Sequence, residues 1–445
     1  MNILTQPIPP EVPAGDKQGG EVRARWAWTE AAVWTEPMLT TLERGIKGGK
    51  WFSLIDKAWN PRNLESSWQK VQRNGGAAGP DGHSIAHFER HAKVNLERMH
   101  RKLREGTWEP QPVRRAWIDK PGSAEKRPLG IPNVSDRIVQ GALRHVLEPI
   151  FEHTFSGHSF GFRPGRGAKD ALRRVDGLLK EGRAWVVDAD IKGYFDAIPH
   201  DQLMDCLKQK VSDGRVLELV EKYLRAGVMD SLSGWSPGER GTPQGAVLSP
   251  LLANLYLDEF DHLMAARGYA ITRYADDFVI LTNTESEARE ALHLLQEWTA
   301  RRGLTLHPEK TRLIDTSIKG EGFEFLGYRF QNGSKWPREK SLSKLRETIR
   351  QRTPRVNGRS LGAIIAGLNP VLRGWFAYFK HSAKHALNPV DGFVRRRLRS
   401  MLRSREGIEG TSRKGRDHHR WPNTYFDTRG LFCLTAARQR ICQSR

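Results

Sequence analysis

Two adjacent aspartates, Asp276 and Asp277, interrupt the run Arg273-Tyr274-Ala275-Asp276-Asp277-Phe278-Val279-Ile280-Leu281. The apolar and β-branched residues on either side predict strand, tight turn, strand, with both carboxylates at the tip of a hairpin. Neighbouring carboxylates repel and raise one another's pKa unless a cation lies between them, so metal binding is the chemistry this pair suits. An isolated Asp-Asp pair is more often a solvated turn, and the metal reading therefore needs a third acid. Asp190 is the candidate. Trp185 to Ile191 predicts a strand whose period-two alternation puts Asp188 and Asp190 on one face, with Val187 and Ala189 on the other. Lys192-Gly193 ends that strand and leaves Asp190 near its C-terminal end. Asp190, Asp276 and Asp277 could together hold two Mg2+ ions, with Mn2+ as a substitute. One ion would activate a primer 3′-hydroxyl, and the other would clamp a triphosphate and the leaving pyrophosphate.

These acids need elements that position them. Val113 to Ile118 and Arg127 to Ile131 predict an exposed hairpin, because Pro121, Pro128 and Gly130 exclude a central strand. Lys120, Lys126 and Arg127 crowd it; they suit a triphosphate, and a solvated basic turn fits them equally well. Ser135 is expected to cap a core helix carrying Ile138, Val139, Ala142, Leu143, Val146, Leu147 and Ile150 at helical spacing. The loop Gly241 to Pro250 feeds another helix, with Ser249 as its expected cap and Pro250 at its first position. Further strands are expected over Leu304 to Thr311 and Phe323 to Tyr328. The order is acid-bearing strand, helices, loop with Gln244, helix, acidic hairpin, which describes a mixed sheet with three carboxylates on one edge region. Tyr194 and Phe195 follow Asp190, and for one of them core filling is explanation enough. The Gly-rich stretch Arg73 to Gly82 lacks a P-loop ending and a dinucleotide-binding context, and reads as a flexible, basic-edged loop.

The 445 residues include 72 Lys plus Arg against 51 Asp plus Glu, a formal net charge of +21. So basic a chain implies a polyanionic partner, nucleic acid first, since phosphate contacts release counterions and relieve self-repulsion. No long apolar run or lipidation signal points to a membrane. Three cysteines, Cys206, Cys433 and Cys442, form no close pair, which excludes a disulfide framework and fits a reducing cytosol. Residues 1–25 read as a disordered leader. The tryptophans from Trp26 to Trp68 read as packing anchors for short helices. After Ser334 the composition shifts to helices expected over Ser341 to Arg352, Leu361 to Leu368 and Phe393 to Arg405, with an aromatic run, Trp375 to Phe379, between the last two. The third helix carries Arg395, Arg396 and Arg399 opposite an apolar side, and a one-sign face of this kind favours nucleic-acid contact, as do Arg163 and Arg166 in the turn after the core helix. Residues 406–445 form a basic, weakly periodic tail with a DNA-binding role in view.

Taken in order, the chain resembles the group II intron reverse transcriptases, or maturases. The resemblance is carried by KRPLGIPNVSDRIVQGAL from Lys126, SFGFRPGRGAKDAL from Ser159, VVDADIKGYFDAIPH from Val186, GTPQGAVLSPLLANLYLDEFD from Gly241, RYADDFVIL from Arg273, LHPEKT from Leu306, FEFLGYRF from Phe323 and LNPVLRGWFAYFK from Leu368. It implies an α+β right-hand polymerase fold. An N-terminal extension and the start of the fingers would occupy residues 26–110, fingers and a palm with an antiparallel sheet 111–333, and an α-helical thumb or maturase domain 334–405. It makes Asp190, Asp276 and Asp277 the catalytic metal ligands, with the Ile191 carbonyl a further ligand and Asp188 structural. Phe195 falls where the family has its 2′-hydroxyl gate, Gln244 where it lines the nucleotide pocket, Lys120 and Arg127 where the fingers touch the triphosphate, and Lys310 where a lysine protonates pyrophosphate. The implied partners are intron RNA as template, target or primer DNA, and deoxynucleotides. The sequence carries no C-terminal His-Asn-His nuclease module, so second-strand cleavage is not expected, and priming from nascent strands at a replication fork is. Two other readings stay open: a reverse transcriptase from a diversity-generating or CRISPR-associated system, and a splicing cofactor without polymerase activity.

Overall fold

Three small sheets and a set of helices organise the chain in the computed structural model, which describes residues 22–119, 126–230, 232–356, 358–408 and 414–443. The strands are β1 (Val113–Asp119), β2 (Lys126–Ile131), β3 (Trp185–Asp190), β4 (Val228–Asp230), β5 (Gly234–Ser236), β6 (Ala270–Tyr274), β7 (Asp277–Thr282), β8 (Arg312–Asp315), β9 (Phe323–Phe325), β10 (Tyr328–Gln331) and β11 (Ser334–Pro337). One four-stranded sheet runs β6-β7-β3-β8, with β3 and β8 antiparallel. A second runs β2-β1-β4-β5, and a third, three-stranded, runs β11-β10-β9. Mixed and antiparallel sheets followed by a helical C-terminal region make this the α+β architecture expected from the sequence. No helix among the described residues is long and apolar enough to cross a membrane.

The chain divides into two compact units, one gathering described residues within 1–171, 189–280 and 289–311, the other within 172–188, 281–288 and 312–445. In the first, the core helix Val134–Glu152 buries Ile138, Val139, Ala142, Leu143, Val146 and Leu147 almost completely. Its N-cap is Asn133, and Ser135 lies inside the first turn. The Asn133 side chain is engaged elsewhere, because its Oδ1 accepts from the Asp81 amide. A Cβ on Gly79 would lie 2.2 Å from that same oxygen. Arg114 Nη2 donates to Ala78 O at 2.8 Å, and Arg137 donates to Ala77 O. The Gly-rich stretch, expected to be flexible, is thus pinned at three points.

Pinning recurs in the loop Gly241 to Pro250. Gly241 has φ +82° and Gly245 φ +107°; added Cβ atoms would meet the Asp196 backbone at 2.7 Å and Gly130 O at 2.7 Å respectively. The loop is therefore wedged between residue 196 and β2, which only glycine allows at those two positions. The helix it feeds, Ser249–Ala266, has Leu248 as N-cap, and the Ser249 hydroxyl donates to Pro243 O at 2.8 Å, closing the loop instead of capping the helix. Over 304–311 the expected strand reduces to one bridge, Ile191 to Leu306, because His307 turns the chain with its amide on Asp190 O.

In the second unit the helices Glu339–Arg352, Leu361–Phe379 and Asn388–Arg405 share one apolar core, and the aromatic run falls inside the second of them. Trp421, Phe426, Leu431 and Leu434 belong to that same core, so residues 414–443 fold onto the helices and do not trail from them. Asp391 ties the end down, its carboxylate accepting from the Leu434 and Thr435 amides at 2.9 Å each. The sequence shows only weak periodicity here because the apolar residues are spread over three short helices, too few in each to produce a stripe.

Candidate active site

The β6-β7 hairpin turns at Ala275 and Asp276, and Asp277 opens β7. Ala275 has φ +59°, a left-handed conformation that costs an alanine about 1–2 kcal/mol, so surrounding contacts must hold it. One contact is steric. A Cβ at Gly161 would stand 2.3 Å from the Ala275 nitrogen, which is why the Phe160-Gly161-Phe162 turn carries glycine at its centre. Phe162 is left-handed as well (φ +59°), and its half-exposed ring lies 6.3 Å from that of Tyr274.

Asp190 ends β3 within electrostatic reach of this hairpin. Burial pushes the Asp276 carboxyl above its ordinary range, and the charge of Asp190 pushes the same way; the Asp276 amide, Arg127 and Arg273 oppose them. Asp190 and Arg127 therefore both bear on Asp276, although β2, β3 and the hairpin are far apart in the chain. Lys310 joins them, its Nζ 2.8 Å from Asp190 Oδ2. Asp188 is engaged by Arg312 Nη2 at 3.0 Å. Ile191 is buried and holds the bridge to Leu306. Lys120 lies outside the described residues.

Hard carboxylate oxygens that repel one another across a hairpin are a donor set suited to a divalent cation. Among the described residues, no three His, Cys, Asp or Glu side chains converge tightly enough to form a ready-made metal cage. A divalent cation here would take carboxylate oxygens from these acids and its remaining ligands from substrate oxygens.

Beside the acids, Phe195 lies half-buried on the short helix Tyr194–Ala197, and its carbonyl accepts from the Thr242 amide at 2.7 Å. The Gln244 carbonyl accepts from the Gly130 amide at 2.7 Å, joining the loop to β2. Tyr194 is 2% exposed and its hydroxyl donates to Ala253 O, so of the two aromatics Tyr194 is the one that fills core.

The arginines expected to touch nucleic acid separate sharply. Arg163 is buried, with its guanidinium shared among Glu152, Ser156 O and Ser159 O. Arg399 is 3% exposed and spends its donors on Trp421 O and Asn423. These two guanidiniums are consumed by internal acceptors, which corrects the expectation for them. Arg395 is half-buried against Asp427 and Cys433. Arg166 donates to Gly157 O and stacks on Phe160, while Arg396 is exposed. Counting charge on a helix cannot tell a solvated arginine from one buried by a neighbouring segment.

Comparison with known proteins resolves the family. Residues 118–330 match the family model "Reverse transcriptase (RNA-dependent DNA polymerase)", and residues 342–421 match "Group II intron, maturase-specific domain". Protein YkfC of Escherichia coli K12 is 33% identical over 293 residues, covering 56% of this chain and 75% of YkfC. The chain belongs to the group II intron reverse transcriptases. Another relative, the group II intron-encoded protein LtrA of Lactococcus lactis, is 42% identical over 170 residues, 38% of this chain but only 28% of LtrA. Nuclear intron maturase 2 of Arabidopsis thaliana is 31% identical, covering 44% of this chain and 31% of its own length. Among solved structures, a partial Cas6-RT-Cas1--Cas2 complex matches at 27% identity and a TM-score of 0.36, over 56% of this chain and 41% of that one. Members of the reverse transcriptase family use divalent metal ions and work on an RNA template, which accords with the basic charge of this member.

One part of the site was not anticipated. Asn254, Asp261 and Arg273 form a buried polar cluster beneath the hairpin. A partial sequence signal existed: Asn254 and Asp261 lie seven apart, on one face of the helix Ser249–Ala266, and a polar pair on a buried face needs a buried partner.

Proposed function

We propose that this chain is an RNA-directed DNA polymerase that extends a primer 3′-hydroxyl on an intron RNA template, and that its helical unit binds the same RNA and assists splicing. The observation that carries the reading is that β3, which Asp190 ends, is the sheet neighbour of β7, which Asp277 opens, with Lys310 Nζ 2.8 Å from Asp190 Oδ2 and the charges of Asp190 and Arg127 both reaching Asp276. Asp190, Asp276 and Asp277, with the Ile191 carbonyl, would hold two Mg2+ ions, which supply activation of the hydroxyl and neutralisation of the triphosphate. Arg127 would meet the triphosphate oxygens from β2, and Lys120 is assigned the same role by the resemblance alone. Phe195 blocks the space a ribose 2′-hydroxyl would need, and Gln244 lines the nucleotide pocket. Lys310, held 2.8 Å from Asp190 Oδ2, is the residue that would give a proton to the leaving pyrophosphate. Target or primer DNA and intron RNA are drawn by the net positive charge, in a bacterial cytosol or on the nucleoid.

Primer extension on an RNA template with Mg2+ tests the reading. Wild type is expected to extend and Asp276→Ala to lose extension by several orders of magnitude; equal extension by the two removes the acid assignment. Splicing of the flanking intron RNA, with and without the purified protein, tests the maturase half.

A further inference from the structure

Arg273 is 1% exposed, Asp261 0% and Asn254 2%, so a fully buried guanidinium, carboxylate and carboxamide meet directly under the acidic hairpin. Arg273 Nε donates to both Asp261 oxygens at 2.8 and 2.9 Å, and Nη2 adds a further hydrogen bond to Oδ2. Nη1 reaches the other way, donating at 2.9 Å to Asn254 Oδ1 and at 2.9 Å to the carbonyl of Ala275. Asn254 Nδ2 in turn donates to Gly161 O at 2.7 Å, and Gly161 is the residue packed against the Ala275 nitrogen. The main chain of Arg273 is also fixed, its amide on His158 O at 3.0 Å and its carbonyl under the Phe160 amide at 2.8 Å.

We infer that Arg273, Asp261 and Asn254 are positioning residues that set the direction of Asp276 for nucleotidyl transfer. This rests on the reading of Asp190, Asp276 and Asp277 as the catalytic acids. The Ala275 carbonyl belongs to the peptide that leads into Asp276, and Ala275 is in the left-handed region, so that peptide plane would relax if it were not held. Arg273 holds it through a rigid planar fork whose Nε–Nη2 edge is clamped to Asp261 of the helix Ser249–Ala266, while Nη1 is shared between the Ala275 carbonyl and Asn254 of the same helix. A buried ion pair is weak evidence for stability, since apolar residues of similar volume often replace one without loss. Such residues would fill the space but offer no donor to the Ala275 carbonyl. Lysine would keep the charge and lose the fork.

The test uses the full chain carrying Arg273→Met with Asp261→Leu, and separately Arg273→Lys, with Asp276→Ala as the reference for the acids. Thermal unfolding and primer-template affinity report the fold; kcat and the Mg2+ concentration for half-maximal extension report the position of Asp276. The expected result is a folded double variant binding primer-template within about twofold of wild type, kcat lower by about 10²-fold, and a half-saturating Mg2+ concentration raised several-fold. A folded variant with kcat and Mg2+ dependence within about twofold of wild type overturns the inference. If the double variant does not fold, Asn254→Ala decides: it leaves the ion pair in place, and a fall in kcat of about tenfold supports the tether while wild-type kinetics overturn it. Loss of extension in Asp276→Ala with full activity in the Arg273 variants removes only the tether, whereas full activity in Asp276→Ala removes the reading beneath it.

Discussion

Lys310 Nζ lies 2.8 Å from Asp190 Oδ2, so a side chain of the protein already flanks an acid proposed to bind metal. Both partners are substantially exposed, at 60% and 39%, and a pair so open to water is worth about 0–1 kcal/mol, little enough for a divalent cation to displace it. Lys310→Met is therefore expected to lower the Mg2+ concentration for half-maximal extension by up to about fivefold, because a competitor is gone. It should also slow turnover if the lysine serves the leaving group. A Mg2+ titration of primer extension separates the two, and an unchanged half-saturation shows that the ion pair does not compete.

The resemblance puts the sugar gate at Phe195, and its neighbour Tyr194 is buried in the core. Phe195→Val is expected to admit ribonucleotides, raising their kcat/KM relative to deoxynucleotides by about 10²-fold or more. Tyr194→Phe should leave the discrimination where it was, since it removes only a core hydrogen bond to Ala253 O. Single-nucleotide incorporation with paired ribo and deoxy substrates gives both values.

Asp136 predicts a pH dependence of stability. Burial raises its carboxyl from the ordinary 3.8 to about 7, against hydrogen bonds from the Tyr223 hydroxyl and the Gln111 amide. With the folded pKa above the unfolded one, the folded state binds the extra proton between those values. The contribution is fully present below about 3.8 and is lost as pH rises through about 7, where a buried charge must be carried. Asp136→Asn is expected to flatten this part of the profile. Denaturant midpoints at about pH 5 and about pH 8 for both proteins check it; a slope that survives unchanged in the variant assigns the titration elsewhere.

Arg396 and Arg399 lie three residues apart on one helix and are expected to behave oppositely. Arg396→Ala should reduce the salt dependence of RNA binding by about one phosphate contact, a change of about 0.7–0.9 in the slope of log affinity against log salt, with stability unaffected. Arg399→Ala removes donors from Trp421 O and Asn423 and should lower the unfolding temperature instead. RNA binding over a salt series, paired with thermal unfolding, reads both variants; a stability loss in Arg396→Ala or its absence in Arg399→Ala contradicts the division.

What the sequence determined by itself were the features written in short stretches. Period-two alternation placed Asp190 near the end of a strand, a pair of acids between apolar runs placed Asp276 and Asp277 at a turn, and helical spacing marked the core helix Val134–Glu152, because each depends only on neighbours along the chain. Charge composition likewise announced a polyanionic partner. Tertiary structure decided which polar residues face inward. It sent Asn133 to the Gly-rich stretch instead of to its own helix, buried Arg163 and Arg399, folded 414–443 onto the helical core, and brought Asp261 of one helix beneath Arg273 of a strand. A buried hydrogen bond is specified by two residues distant in sequence, and neither carries a local sign of its partner. The acids of the site could thus be read from their own neighbours, while the cluster beneath them emerged only once the chain was folded.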